Sequence, residues 1–310
     1  LISTLTINTA IDRLLFIESF CQNSTNRIKR VVDVLGGKGT HVSLNLSQLG
    51  MSSRCFGIAM GETGKRILHT LKAHENLDVR LLYVKKGESR TNYAIIEDDH
   101  TCTLVTEKGE VVSRELCEEL LGKLEKELTA GDTLILSGDA SNTEVPFFYN
   151  RVMERLEGRG IRFLLDTSSR NLVEGLKAKP YLVKPNVEEL SQVLGCPIGS
   201  EAEILSGMRR IAAMGIEVVA VSCGGEGSYV LYQGQFYRVH PLTVQVLNTI
   251  GCGDAYLSGL AYGLEIKADF ETTLRIATAV SAATAESDLT VGFDPARAAA
   301  LQSQVVITKL

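Results

Sequence analysis

Asn248-Thr249-Ile250-Gly251-Cys252-Gly253-Asp254-Ala255-Tyr256-Leu257-Ser258-Gly259 follows an alternating run from Leu242 to Leu247 and opens an apolar helical pattern through Leu257, Leu260, Ala261 and Leu264. The alternation predicts a strand, and the glycines stand where that strand hands over to a helix. At such a turn the amides of Gly251, Cys252 and Gly253 lack intrahelical partners and can point at an anion, with the positive end of the helix dipole behind them. Asp254 falls in the first turn of the helix, placed to take a proton from a hydroxyl that attacks a phosphoryl group. The same letters also describe a tight glycine turn in which Asp254 caps a helix.

Upstream, the chain alternates strands and helices. Leu1 to Ile7 reads as a first strand, with Asp12 in a turn just beyond it. Leu14 to Leu35 lacks helical periodicity and suits a small strand excursion that carries Arg27, Lys29 and Arg30. Gly36-Gly37-Lys38-Gly39-Thr40-His41 is a second glycine turn at a helix start, without the Lys-Ser/Thr ending of a phosphate loop. Strands are expected at 54–59 and 79–84, and a strand pair at 90–96 and 102–106. Arg90 and Asn92, two apart in a strand, share a face that suits a phosphate or a polyol, or is simply exposed. Further strands are expected at 133–136, 161–165, 181–183 and 217–222, a hairpin at 229–239, and helices between them and after Leu257. Asn186 and Glu189, three apart at a helix start, suit either a hydrated divalent ion or a capping box. Strand–helix alternation of this kind predicts a mostly parallel sheet with helices on both faces, whose ligands bind at the carboxyl ends of the strands. With no linker or repeat in view, residues 1–310 read as one α/β domain.

Composition excludes several classes. The 310 residues are 45% hydrophobic and 22% charged, ordinary for a globular α/β chain, and the net charge of -5 argues against a general nucleic-acid or anionic-membrane binder. No apolar run approaches the roughly 20 residues of a membrane helix, and no basic start leads into an apolar signal core, so neither a membrane span nor a leader is expected. The seven cysteines form no C-x-x-C pair and the five histidines show no metal-ligand spacing. Reduced thiols in a cytoplasmic protein are the expectation.

In its ordered motifs the chain resembles the ribokinase / phosphofructokinase-B superfamily of carbohydrate kinases over nearly its whole length. The motifs are Thr6-Ile7-Asn8-Thr9-Ala10-Ile11-Asp12, Gly36-Gly37-Lys38-Gly39, Leu165-Asp166-Thr167-Ser168, Lys184-Pro185-Asn186-Val187-Glu188-Glu189, Ser222-Cys223-Gly224-Gly225-Glu226-Gly227 and Gly251-Cys252-Gly253-Asp254. The first motif and the Leu-Asp-Thr-Ser run look most like the branch of 1-phosphofructokinase and tagatose-6-phosphate kinase. The resemblance implies a ribokinase-like fold with a small β lid (about 12–35 and 88–106) that excludes water and often pairs two subunits. It implies Mg²⁺-dependent transfer of the ATP γ-phosphate to a sugar hydroxyl, with Asp254 as base and the amides of Gly251, Cys252 and Gly253 stabilising charge. Asn186 and Glu189 would organise Mg²⁺. Lys184, Ser222, Gly224, Gly227 and Thr249 would serve the nucleotide. Asp12, Gly37, Lys38, His41, Arg90, Asn92 and Asp139 would serve the sugar, with Arg90 and Asn92 near any phosphate it already carries and Arg27 a further source of positive charge.

Three places depart from the family pattern. His41 stands where Asn is usual, and Asp139 where a serine that binds the sugar phosphate is usual. Asn248 replaces the usual Asp of the last motif, which bears on a monovalent-cation role and not on the base. Two departures fall in the acceptor pocket, and an aspartate there repels a phosphate dianion unless it turns away. A kinase of a phosphorylated ketose is therefore the leading expectation. A kinase of an unphosphorylated sugar or nucleoside is the second, and a catalytically idle sugar-phosphate sensor the third. A nicotinamide enzyme is disfavoured, because no G-x-G-x-x-G follows a first strand.

Overall fold

The computed structural model describes all of residues 1–310. Its larger sheet has eleven strands. From one edge run Leu77–Val79, Ser53–Met60, Ile2–Thr6, Thr133–Ser137, Arg162–Asp166, Leu182–Val183 and Val218–Ser222, all parallel. At the other edge Ser228–Tyr232, Gln235–Val239 and Ile307–Lys309 continue antiparallel. A strand covered on both faces must be apolar on both, and each residue commits its side chain to one face. Accordingly Leu134 and Leu136 enter the core beneath the helices Arg114–Glu127, Phe148–Arg155 and Glu201–Ala212, whereas Ile135 enters the core beneath Lys38–Gln48, Cys252–Glu265 and Phe270–Ala285. The expected mixed α/β architecture with a mostly parallel sheet is the one observed.

A second sheet of four strands, in the order Arg30–Gly36, Ala10–Phe16, Arg90–Ile96, Cys102–Thr106, stands beside the carboxyl ends of the first. Leu14 and Ala94 on its inner face pack with Ile250 and Leu289 of the main body. Asp33 ties the sheet to the helix Gly61–Lys72, accepting from Arg13 of the neighbouring strand and from Arg66 of the helix. Arg13 first, and then Arg66, hold this carboxylate down at about 2.

Three expectations need correction, and one strand was not foreseen. Leu242–Leu247 is not a strand. It runs as irregular chain after Pro241, which has no amide to pair, and the edge it would have used, Gln235–Val239, is already taken by Ile307–Lys309. Residues 79–84 form two strands rather than one, because the pairing breaks opposite Gly57, which sits at φ +155° in the partner strand. Asp12 lies inside the strand Ala10–Phe16 instead of a turn. Ile307–Lys309, three residues of low burial, carries no readable pattern.

The helices Cys252–Glu265 and Phe270–Ala285 meet at Gly259, where a Cβ would lie 2.4 Å from the Cα of Ala277. No side chain fits there, and the approach fixes the helix that carries Asp254. Replacing Gly259 with Ala is expected to destabilise the fold by about 1–3 kcal/mol through overpacking. Urea titration should show a lower midpoint with unchanged m-value; an unchanged midpoint would mean that the helices part freely.

Candidate active site

Two helix N-termini converge at the carboxyl ends of the sheet. One belongs to Lys38–Gln48 and follows Gly37; the other belongs to Cys252–Glu265 and follows Gly251. Gly251 holds a left-handed φ of +80°, and a Cβ there would stand 1.9 Å from the carbonyl oxygen of Thr290. Only glycine satisfies both conditions. The turn leaves the amides of Gly251, Gly253 and Asp254 without acceptors, while the Cys252 amide makes a long bond of 3.4 Å to the Thr249 carbonyl. The anion-facing set is thus shifted one residue from Cys252 towards Asp254. Burial, and then Asp254, push the Cys252 thiol up to about 12, so its side chain stays neutral.

Between the sheets lies a cavity of about 360 Å³, lined by Asp12, Gly37, Lys38, His41, Arg90, Asn92, Lys184, Asn186, Glu189, Gly251, Gly253 and Asp254 among others. Residues more than 200 positions apart are therefore assembled in one place. Across Ser222 and Gly253 it meets a second cavity of about 300 Å³, walled by Gly224, Gly227, Leu242, Val244, Thr249, Cys252, Tyr256, Thr278 and Ala285. The strand-like alternation of Leu242 and Val244 thus serves an apolar wall, a role that the sequence pattern could not separate from a strand. A further recess of about 170 Å³ shares Lys38 and Arg90 with the first cavity and has no hydrophobic residue in its lining: Thr6, Asn8, Lys38, Arg90, Ser137, Gly138, Asp139, Thr167 and Ser168.

The charges are arranged in two sets. Asp166, fully buried at the end of its strand, stands 3.4 Å from both Lys38 and Lys184. Burial raises its pKa, but Lys184 and Lys38 outweigh burial and leave it below the carboxylate norm. Burial also works against the Lys38 charge, and Asp166, Asp254 and Glu189 more than restore it. Lys184 lines the first cavity, its ammonium near Gly253 where the two cavities meet. The sequence signal for Asp166 is a carboxylate that follows Phe163, Leu164 and Leu165 directly in its strand.

The second set is Asn92, Asp12, His41 and Asp254. Asn92 donates to Asp12 at 2.8 Å, His41 Nε2 lies 2.9 Å from the Leu35 carbonyl and 3.5 Å from Asp12, and His41 Nδ1 lies 2.7 Å from Asp254. Both ring nitrogens are engaged, so His41 keeps none for an acceptor hydroxyl, contrary to its expected role. Asp139 turns into its own loop, accepting from the Ser141 amide at 3.0 Å and hydroxyl at 2.8 Å. Arg27 is exposed and lines none of the three spaces.

Asn186 and Glu189 form a reciprocal capping box: the Glu189 amide donates to Asn186 at 2.8 Å and the Asn186 amide to Glu189 Oε2 at 2.9 Å. The two readings of this pair are compatible, because Glu189 Oε1 remains open to the cavity. No group of three or more His, Cys, Asp and Glu is placed to enclose a metal. One carboxylate and one amide oxygen beside a phosphate space suit Mg²⁺, which keeps several waters and shares its shell with phosphates.

A family model described as pfkB family carbohydrate kinase matches residues 5–297. A 1-phosphofructokinase of Bacillus subtilis (strain 168) is 28% identical over 288 residues, covering 93% of each chain. A tagatose-6-phosphate kinase of Staphylococcus epidermidis (strain ATCC 12228 / FDA PCI 1200) is 29% identical over 283 residues, covering 90% of each. The crystal structure of phosphofructokinase-2 from Escherichia coli in complex with potassium superposes with a TM-score of 0.91 over 98% of both chains, at 21% identity. That enzyme's tetrameric inhibited form gives 0.88 at the same identity. At this identity the structural likeness is one of fold.

Removing the Asp166 carboxylate strands the buried ammonium of Lys184 and takes a partner from the more exposed Lys38. Asp166→Ala is expected to cost about 3–5 kcal/mol at neutral pH. Because folding lowers the Asp166 pKa from 3.8, its contribution is complete above that value and is lost as pH falls through the folded pKa. Urea titrations from pH 7 downward should show a constant gap between wild type and variant that narrows only below about 3.8. A gap that narrows on the alkaline side instead would reject the assignment.

Proposed function

The chain belongs to the pfkB family of carbohydrate kinases, and from that premise we propose that it phosphorylates a hydroxyl of a phosphorylated ketose, of the fructose 1-phosphate or tagatose 6-phosphate type, with Asp254 as general base. As an ATP-dependent sugar kinase it needs a nucleotide pocket, an acceptor pocket and an anion site between them. The apolar cavity suits the nucleotide, and Ser222 and Gly253 mark the passage of its phosphates towards the acceptor. The observation that carries the acceptor class is the recess beyond. None of its lining residues is hydrophobic, and it holds Lys38 and Arg90. A phosphate pairs with an ammonium and a guanidinium together. Asp139, bonded within its loop, does not oppose this reading. The names of the two relatives agree with it.

In this reading the acceptor hydroxyl lies against Asp254. Its O–H bond breaks as its oxygen bonds to the γ-phosphorus, ADP leaves with the electron pair of the broken P–O bond, and the proton passes to Asp254. The amides of Gly251 and Gly253, with Lys38 and Lys184, face the charge spread over the transferring group. Mg²⁺, held by Glu189 and Asn186 through its waters, would neutralise phosphate charge when bound. The four-stranded sheet acts as the lid that keeps water from competing for the phosphoryl group. Its edge strand Cys102–Thr106 is exposed on both faces, Leu104 at 54% and Val105 at 53%. A second copy of the chain docking there would cover both.

One observation favours a second reading: Asp139 stands in the recess within the field of Arg90 and helps to keep that guanidinium charged against burial. A carboxylate so placed would also suit the hydroxyls of an unphosphorylated sugar or nucleoside. ADP release measured with Mg-ATP against fructose 1-phosphate, fructose 6-phosphate, tagatose 6-phosphate, fructose, ribose and adenosine separates the two. Turnover of a phosphosugar is expected; turnover of neutral acceptors alone would establish the second reading, and none at all would favour a sugar-phosphate sensor. Asp254→Asn should lose on the order of 10²–10⁴-fold in kcat while its Kd for Mg-ATP stays unchanged.

A further inference from the structure

His41 is the side chain hydrogen-bonded to the carboxylate of the proposed base. Its Nε2 lies 2.9 Å from the Leu35 carbonyl, which can only accept, so Nε2 carries a proton. Its Nδ1 lies 2.7 Å from Asp254 Oδ2. Two bare acceptors do not rest at that distance, so a second proton lies between them. From this geometry we infer that His41 is a positioning residue: a buried imidazolium that bridges Asp12 and Asp254 and fixes the Asp254 carboxylate so that Oδ1 alone faces the acceptor hydroxyl. The inference rests on the reading of Asp254 as base and adds what orients that base.

The surroundings agree. His41 is 4% exposed, Asp12 8% and Asp254 6%, and two buried carboxylates facing each other without a cation between them would not both stay ionised. The charged groups around the ring are Asp12 from the second sheet, Asp254 from the facing helix, Lys38 one turn earlier on its own helix and Arg90 beyond Asp12. Burial works against the imidazolium, but Asp12 and Asp254 together outweigh it and push the ring up to about 10. Asp12 in turn is raised by burial and lowered further by His41 and Asn92. Asn92 and Asp12 belong to the second sheet, so the bridge joins that sheet to the base. Placement of the sheet is thereby felt at Asp254 without direct contact. During transfer the proton from the acceptor goes to Asp254 Oδ1, and the Nδ1–H proton stays with the ring.

The test combines protonation state and kinetics. In wild-type protein with ¹⁵N-labelled histidine, both His41 nitrogens are expected to show protonated-imidazole shifts at pH 8 and to titrate only near pH 10. A single protonated nitrogen at pH 8 would overturn the bridge, whatever the variants do. His41→Leu, which keeps bulk and loses both donors, should lower kcat on the order of a hundredfold with the KM for ATP unchanged. His41→Asn, one donor without charge, should recover most of that loss. In wild type kcat should fall as pH rises through about 10, relative to His41→Asn, which has no proton to lose. Equal kcat in His41→Leu and wild type, or the same alkaline fall in His41→Asn, would overturn the positioning role. Asp254→Asn keeps the two readings apart. There the His41 ring, short of one carboxylate, should titrate at lower pH than in wild type, and an unmoved titration would reject the bridge. Full turnover in the same variant would reject Asp254 as base and leave the bridge standing.

Discussion

Charge that leaves water must find a partner inside, and the interior of this protein is arranged around that requirement. Seven ionisable groups, Asp12, Lys38, His41, Arg90, Lys184, Glu189 and Asp254, line one cavity, and Asp166 backs it. Asp12, His41, Asp166, Lys184 and Asp254 are buried, and none of them could be so alone. Asp166 between Lys38 and Lys184, and His41 between Asp12 and Asp254, are the two arrangements that make their burial tolerable. Each draws its members from strands and helices far apart in the chain. The position of the helix Lys38–Gln48 is therefore fixed twice, by Lys38 towards the sheet and by His41 towards the facing helix and the second sheet. Packing at Gly259 and the left-handed turn at Gly251 then set the facing helix to within the reach of these bonds.

The backbone plan was legible because its signals are local. A parallel strand buried on both faces must be apolar throughout, a helix must repeat its apolar residues every three or four positions, and both patterns are plain here. The helix Phe270–Ala285 and the strands Arg90–Ile96 and Cys102–Thr106 fall where the pattern puts them. Leu242–Leu247 misled for an equally physical reason. An apolar wall facing a cavity on one side and solvent on the other alternates as a strand does, and only the occupied sheet edge, supplied by three residues at the far end of the chain, decides against pairing. Asn186 and Glu189 could not be decided by sequence because a capping box and a hydrated-ion site ask for the same two side chains at the same spacing.

The site was legible in its glycines and acids and illegible in its pairings. Gly251 and Asp254 announce themselves, since a turn with φ of +80° against a carbonyl admits no other residue and the carboxylate follows it directly. His41 carries no such mark. Its partner lies 213 positions away, and nothing local distinguishes a histidine aimed at a substrate from one aimed at a neighbouring helix. Asp166 shows the reverse case. Its strand ends in a carboxylate with no local partner, and the two lysines that explain it arrive through the Gly-Gly-Lys-Gly turn and the Lys-Pro-Asn segment.

The two departures in the acceptor half have a common form. A histidine and an aspartate each introduce a charge where the family pattern is neutral, and both charges are taken up by the protein. His41 gives its two N–H groups to Leu35, Asp12 and Asp254; Asp139 takes the amide and hydroxyl of Ser141 and lies in the field of Arg90. What remains for the acceptor is the charge of Lys38 and Arg90 in the recess, with the free amides of the anion turn at the other end of the cavity.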